Sequence, residues 1–567
     1  MTGRILGRPA GVTRRLARVV AATAAMVLVG ILAPAVPAAP ALARAAPQYV
    51  QINGGGSTWS GRAIDQWRRE ILVRKGINVS YAQSGSTTGR STFAEATVDF
   101  GVSEIPYGTK DSFQTPDFAP SRRYAYMPIV AGGTSFMYNL KIGGRRVTNL
   151  RLSGEVIAKI FTGVIKRWND PAIRADNPGL NLPARAIVPV IRQDSSGTSA
   201  QFTLWMSKQY PAIWNAYCRK WGKPSPCSPT SSYPMNASEG FIGQSLSQGV
   251  AGYVSQSNAE GAITYVEYSY AKDARFPVAK VLNQAGYYVE PTASNVAVAL
   301  TKARINPRQG PDFLTQILDD VYRFNDPRTY PLSSYSYMII PVDQVQLNMT
   351  EDKGYTLAEF AYYFLCEGQQ QAEDLGYSPL PKNLVDAAIN QVHRIPGGVD
   401  RNIDVVGCNN PTFDRNGTNT LLTKAPQPSS CDKRGPTQNP AGTAGARDET
   451  PVLPAAACGG NTSGGTAQPG ATGGPAASAG PTASAGPIDP DTGLPTGTGT
   501  GSGSGSGDGG AEQVLAVPVS LDGEGGWRLR HTMMLLAGVL LVGLVVGPPL
   551  LSNTLRRGRD SDTGSHR

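Results

Sequence analysis

The chain has 567 residues, and its 52 lysines and arginines outweigh 42 acidic residues to give a formal charge of +10 at pH 7. Five of the arginines lie within residues 1–43, and no basic run interleaved with aromatics occurs in the middle, so the charge does not mark a nucleic-acid binder. Three histidines, and no CxxC or HxxxH spacing among the six cysteines, argue against a zinc centre.

In chain order, residues 1–43 carry basic residues and no acid, then an apolar run, then small residues ending in Ala41-Leu42-Ala43. That order predicts a secretory signal cleaved after Ala43, with the export route left open. From Gln48 to Lys424, strand and helix patterns alternate, which predicts an α/β fold. Ile64, Trp67, Ile71 and Leu72 share one helical face, "INVSYA" alternates as a strand, "GRSTFAEAT" reads as a short helix and "VDFGVSE" as a further strand. "YAYMPIVAGGTSFMYNL" reads as strand, bend and strand, and Ser153 and Gly163 bracket an apolar helix. "AIVPVIR" is a buried strand leading into a helix lined by Phe202, Trp205, Met206 and Tyr210.

Residues 424–526 turn to Gly, Pro, Ala, Ser and Thr, a composition that cannot bury enough surface to fold. They are expected to form a disordered tether with an r.m.s. reach near ~55 Å. Residues 532–551 are uncharged and mostly apolar, long enough to cross a bilayer, and Arg556 to Arg559 follow in a cytoplasmic tail, 552–567. Cys218, Cys227, Cys366, Cys408, Cys431 and Cys458 are even in number in a chain read as exported. Disulfides are therefore expected, and pairing neighbours in order gives 218–227, 366–408 and 431–458, although spacing alone leaves other connectivities open.

Two stretches, "NGGGSTWSGRAIDQW" (53–67) and "RQDSSGTSAQFTLW" (192–205), place glycines and hydroxyls at helix starts, and "QSGSTTGRS" (83–91) is a third such loop. A helix start has N–H groups without partners and a partial positive charge, so an anion there satisfies both. Arg192, at its strand end, is placed to add a counter-charge in bidentate form. Nucleotide and nucleophile readings fail on the same letters. Gly56 to Arg62 lacks the lysine and following Ser/Thr of a phosphate-binding P-loop, and no G-x-S-x-G elbow accompanies His393, the one histidine of the globular part. The chain is read as a binding protein, not an enzyme, with no cofactor or metal.

"INGGGSTWSGRAIDQW", "YAQSGSTTGR", "ATVDFGVSEIP", "IFTGVIKRWNDPAI", "VIRQDSSGTSAQFTLW" and "DLGYSPLPKNLV", in this order, resemble the phosphate-binding proteins of phosphate ABC importers, over roughly Gln51 to Asn390. The resemblance implies a two-lobe, venus-flytrap, periplasmic-binding-protein type II fold with two hinge crossings. Lobe I would be 48–135 and 328–410, and lobe II 136–327. It also implies phosphate between the lobes, held by Thr58, Trp59, Ser86, Arg192, Ser196, Gly197 and Thr198, with Asp194 pairing Arg192. Where the family has aspartate in "DFGASD", this chain has Glu104. A carboxylate there selects an anion that carries a proton, phosphate over sulfate, and the extra methylene advances it by about 1.5 Å in a pocket where ~1 Å matters. The expected function is extracytoplasmic phosphate binding, as a monomer, for delivery to an ABC permease. The competing reading is a membrane-tethered sensor or adhesion module on the same scaffold, favoured by the C-terminal helix and tether.

Overall fold

A computed structural model describes residues 48–458 apart from 114–118, 344–347, 400, 402, 404, 406 and 447–449. The expected signal, the tether beyond 458, the membrane helix and the tail lie outside the described residues. Among the described residues no helix is long and apolar enough to cross a membrane.

The main sheet has eight strands, numbered here in chain order: β1 (Ile52–Gly56), β2 (Val79–Ala82), β3 (Phe100–Ser103), β4 (Tyr124–Tyr138), β5 (Val188–Arg192), β6 (Ile242–Gln244), β7 (Ala262–Glu267) and β8 (Ser333–Pro341). Their spatial order is β2-β1-β3-β8-β4-β7-β5-β6. Parallel pairing joins β1 to β2 and β3, and β5 to β6 and β7, while β8 and β4 run antiparallel to their neighbours. Each end of the sheet is thus a parallel α/β unit, and β4 belongs to both. Its residues up to Gly133 pair with β8, and from Thr134 onward they pair with β7.

β4 is one continuous strand of 15 residues, not the strand, bend and strand read from Gly132-Gly133. These glycines admit rings instead of making a turn. A Cβ on Gly132 would lie 2.8 Å from the Trp59 ring, and one on Gly133 would lie 2.5 Å from Pro291 and 3.0 Å from Tyr330.

Helix α1 (Gly61–Lys75) buries Ala63, Ile64, Trp67 and Ile71 and ends on Gly76 in the left-handed region. Leu72, expected on that face, is half exposed, because an offset of eight residues rotates past the contact. Trp67 stacks on Phe364 at 4.9 Å between centroids and donates to the Gly368 carbonyl at 2.7 Å, so its ring is packed and its one polar atom satisfied. Helix α2 (Ser86–Ala94) begins three residues before the stretch read as helical, directly on the glycine-hydroxyl loop. Helix α3 (Gly197–Gln209) follows β5, α4 (Leu246–Val254) follows β6, and α5 (Glu351–Leu365) packs on α1 and β1. Ser153 occupies its expected place before the helix Gly154–Phe161 without a capping side-chain bond.

Residues 425–458, assigned by composition to the tether, are part of the folded body. After Asn410 bonds the Leu365 and Leu380 carbonyls, the chain passes Arg328, which donates to the Leu422 carbonyl, and reaches the far half of the molecule. There Asp432 pairs with buried Lys280 at 2.9 Å, and Arg151 donates to the Cys431 and Thr437 carbonyls. Fully buried Gln438 bonds Asn149, Asn177 and Gly179, and Cys431–Cys458 closes the segment. Paired polar groups and a cross-link hold this strap where apolar burial is scarce, which is why composition misjudged it. It is also a covalent passage from the Asn410 side of the molecule to Lys280 and Arg151 that the sequence reading did not include.

Cys218–Cys227 is the second disulfide. Cys366 and Cys408, expected to pair, meet as thiols: Cys366 hydrogen-bonds Cys408, and that contact together with burial raises its pKa. His393 is exposed at the end of the helix Lys382–Val392.

Glu267 ends β7 opposite Thr134, fully buried. One carboxylate oxygen accepts from the Ser269 N–H at 2.7 Å, and the other has no partner among the described residues. Burial holds its pKa well above 4.5 against the opposing Ser269 bonds and Arg62 charge. A raised acid contributes stability that is complete below the unfolded value and lost as pH rises through the folded one. Glu267→Gln, permanently neutral, is therefore expected to flatten that loss. Urea midpoints of the two proteins should diverge as pH rises from 4.5, with the wild type falling; parallel profiles would contradict the assignment.

Candidate functional site

The loop from β1 to α1 is held by its carbonyl edge. Tyr81, Tyr270 and Tyr377 donate their hydroxyls to the carbonyls of Ser57, Thr58 and Trp59 at 2.8, 2.5 and 2.6 Å. Gly56 starts this turn at φ +137°, where a side chain would be strained, and a Cβ there would lie 2.2 Å from the Val102 carbonyl. Two of these phenols come from segments remote in sequence, so the loop is fixed by the tertiary fold and not by local propensity.

Thr58 lies at one centre of contacts. Its Oγ1 is 2.8 Å from Ser247 Oγ and accepts from the Ser247 N–H at 3.3 Å. Arg192, the last residue of β5 and 2% exposed, donates from Nη1 to Ser247 Oγ at 3.2 Å. Its Nε and Nη2 donate to the two Asp194 oxygens at 2.7 and 2.5 Å, so the bidentate edge expected for an anion is engaged by Asp194. Burial alone would raise the Asp194 pKa, but the bonds and charge of Arg192 hold it below 3.8. Asp194 also accepts from the Leu246 N–H at 2.9 Å, which ties the arginine to the start of α4.

Glu104 lies at the other centre. Its carboxylate accepts from Ser86 Oγ and Ser336 Oγ, both at 2.7 Å, and from Ser57, while its backbone carbonyl accepts from Gln201 Nε2 at 2.7 Å. Burial raises its pKa against those three hydroxyls and the Arg192 charge. Ser86 Oγ accepts in turn from the Gly197 N–H, the first of α3, at 3.2 Å. A Cβ on Gly197 would fall 2.1 Å from the Glu104 carboxylate and 2.5 Å from Ser86 Oγ, so only glycine lets these groups meet.

The nine residues singled out in the sequence have different tasks. Thr58, Arg192 and Asp194 meet around Ser247; Ser86, Glu104 and Gly197 meet directly. Ser196 is the N-cap of α3, its Oγ accepting from the Thr198 and Ser199 N–H groups at 3.1 and 3.4 Å. Thr198 Oγ1 is buried with no partner among the described residues. Trp59 gives its backbone N–H to Ser57 Oγ at 2.9 Å and its ring to Tyr377. Sequence reasoning missed Ser247 and Ser336. Neither stands in a glycine-hydroxyl loop, and only the fold brings them within reach from separations of 189 and 232 residues. Hydroxyls, helix N–H groups, one arginine and one buried acid from both halves form a set suited to a small oxyanion, with donors for its oxygens and one acceptor for its proton. Among the described residues no cluster suits a metal ion.

Residues 42–367 match the PBP superfamily domain. The phosphate-binding protein PstS of Xylella fastidiosa is 30% identical over 338 residues, 59% of this chain and 83% of that one. That of Methanocaldococcus jannaschii is 28% identical over 360 residues, 62% of this chain and 87% of its own. Among solved structures, a phosphate-binding protein from Stenotrophomonas maltophilia aligns with a TM-score of 0.45 at 20% identity, over 61% of this chain and 97% of that one. The described fold, two α/β units sharing β4, is the periplasmic-binding-protein type II architecture, and the chain belongs to the PstS family of phosphate-binding proteins.

Proposed function

We propose that this protein binds inorganic phosphate between its lobes outside the cytoplasm and delivers it to a phosphate ABC permease. The observation that carries the reading is the convergence, from both lobes, of Ser86, the α3 N-terminus and the Arg192–Asp194 pair. Thr58, Trp59, Ser86, Ser196, Gly197 and Thr198 supply neutral dipoles and Arg192 the charge, while Glu104 takes the proton that phosphate still carries. Sulfate has no such proton, so the carboxylate repels it. Closure of the lobes on the anion is the signal that a permease reads. Titration calorimetry of residues 46–458 tests this: phosphate should bind and sulfate bind far more weakly, and equal affinities would remove the role given to Glu104.

The same proposal includes export by residues 1–43, a tether beyond the strap and a membrane anchor at 532–551, with the body monomeric. Export carries a further expectation. The facing thiols of Cys366 and Cys408 should be joined in the mature protein, because an oxidising compartment favours the bond where two sulfurs already meet. Peptide mapping without reductant should recover them cross-linked; alkylation of both in the native protein would contradict export or this pairing.

A further inference from the structure

Glu104 follows β3 directly, and its carboxylate is secured at both oxygens. Oε2 accepts from Ser86 Oγ at 2.7 Å and lies beside the start of α3, where a Cβ on Gly197 would be 2.1 Å from it. Oε1 accepts from Ser336 Oγ, also at 2.7 Å, and Ser336 Oγ in turn lies 3.1 Å from Ser60 Oγ. A serine hydroxyl carries a single proton. Since Ser336 gives its own to Glu104, Ser60 is the donor to Ser336, and the three buried groups form a line that ends on Oε1. Two irregularities of the fold coincide with this line. Ser60 is the N-cap residue of α1, where a hydroxyl ordinarily accepts from the helix N–H groups, yet it makes no such bond and turns to Ser336 instead. On β8, the register against β4 slips between Ser336, opposite Val130, and Tyr337, opposite Pro128, an irregularity of the kind that re-aims a side chain.

We infer that the Ser60–Ser336 pair determines anion specificity through Glu104: it seats Oε1 from behind, so that Oε2 is the oxygen presented at the start of α3 to the proton of bound phosphate. The inference rests on the reading of the site as a phosphate site with Glu104 as the proton acceptor. Ser60 and Ser336 are positioning residues, acting on the anion through the carboxylate and not by contact. Such a support is what the longer acid needs. The methylene that Glu104 has beyond the family's aspartate adds a rotatable bond, and a carboxylate free to turn about it would not keep one oxygen on the anion. The pair also bears on which form of the acid meets the ligand. Burial favours protonated Glu104, which would donate a hydrogen bond to sulfate instead of refusing it, and the Ser57, Ser336 and Ser86 hydroxyls oppose that form by donating to the carboxylate. Loss of Ser336 therefore acts twice in the same direction, loosening the carboxylate and removing one of the donors that keep it an acceptor.

The test is the ratio of phosphate to sulfate affinity, measured by titration calorimetry on the full-length protein and its variants, each shown to be folded by thermal melting. Ser336→Ala should lower the ratio about tenfold or more, and Ser60→Ala about threefold in the same direction, since a bond to a charged group is worth more than one between hydroxyls. Ser333→Ala is the control. It removes an equally buried hydroxyl from the same strand, one that donates to the Tyr330 carbonyl at 2.7 Å, and should leave the ratio unchanged. A folded Ser336→Ala protein that keeps the wild-type ratio overturns the inference and leaves the phosphate reading intact. An equal loss in Ser333→Ala also overturns it, because the effect would then belong to the packing of β8. If Ser336→Ala does not fold, Ser60→Ala decides, and an unchanged ratio there overturns the inference. A wild type that binds phosphate and sulfate alike, or neither, overturns the role of Glu104 and the inference with it.

Discussion

Arg192→Ala is expected to abolish phosphate binding, with an affinity loss of at least about a thousandfold, or ~4 kcal/mol. Two losses combine. Among the described residues the guanidinium is the cation in direct contact with the cluster, through Nη1 on Ser247, and hydrogen bonds to a charged group are the strong ones. Its removal also leaves the partly buried Asp194 carboxylate without the partner that holds its pKa down, so any charge it keeps faces the anion unpaired. Lysine is not expected to rescue it. An ammonium cannot grip both Asp194 oxygens and reach Ser247 at once, as the planar fork does. Calorimetry beside a thermal melt separates lost binding from lost fold; a variant that is folded and within tenfold of the wild type would show that the anion is held elsewhere.

The second large effect is structural at its origin. Gly89→Ala should cost about 3 kcal/mol of stability and weaken phosphate binding with it. Helix α2 lies against the β1 loop so closely that a Cβ on Gly89 would be 2.4 Å from Gly56 Cα and 2.7 Å from the Gly55 carbonyl oxygen. Both obstacles are backbone atoms, which cannot rotate aside. The helix must therefore move off the loop, and Ser86, at its start, moves with it, away from Glu104 and Gly197. Thr88, exposed one position earlier, serves as the control, because alanine there should change the urea midpoint hardly at all. If both variants unfold at the wild-type midpoint, the close approach of α2 to β1 is not what it is described to be.

The parts of the molecule legible in the sequence were those governed by local chemistry. Helix α1 announces itself through Ile64, Trp67 and Ile71, and α3 through Ser196, whose hydroxyl caps it. The three glycine-hydroxyl loops marked the ends of strands and starts of helices from which the site is built. Remote partners were not legible. Ser247 and Ser336 are ordinary serines until the fold carries them to Thr58 and Glu104, and Gly132-Gly133 reads as a bend until the rings that need the space are known. The share of Arg192 taken by Asp194 depends on how a two-residue turn points its carboxylate, which spacing does not encode. Residues 425–458 were misjudged for a related reason. A segment with few apolar residues can still be held when the surface beneath it offers Lys280, Arg151 and Asn149 as partners.

That strap determines where a pull on the protein is felt. The last described residue is a cysteine bonded back to Cys431, and Cys431 and its neighbour Asp432 are moored to Arg151 and Lys280. Tension arriving along the polypeptide is therefore taken up as shear between the strap and one lobe. It does not run through β4 or the glycine-hydroxyl loops, so a pull applied beyond the strap leaves those loops unloaded.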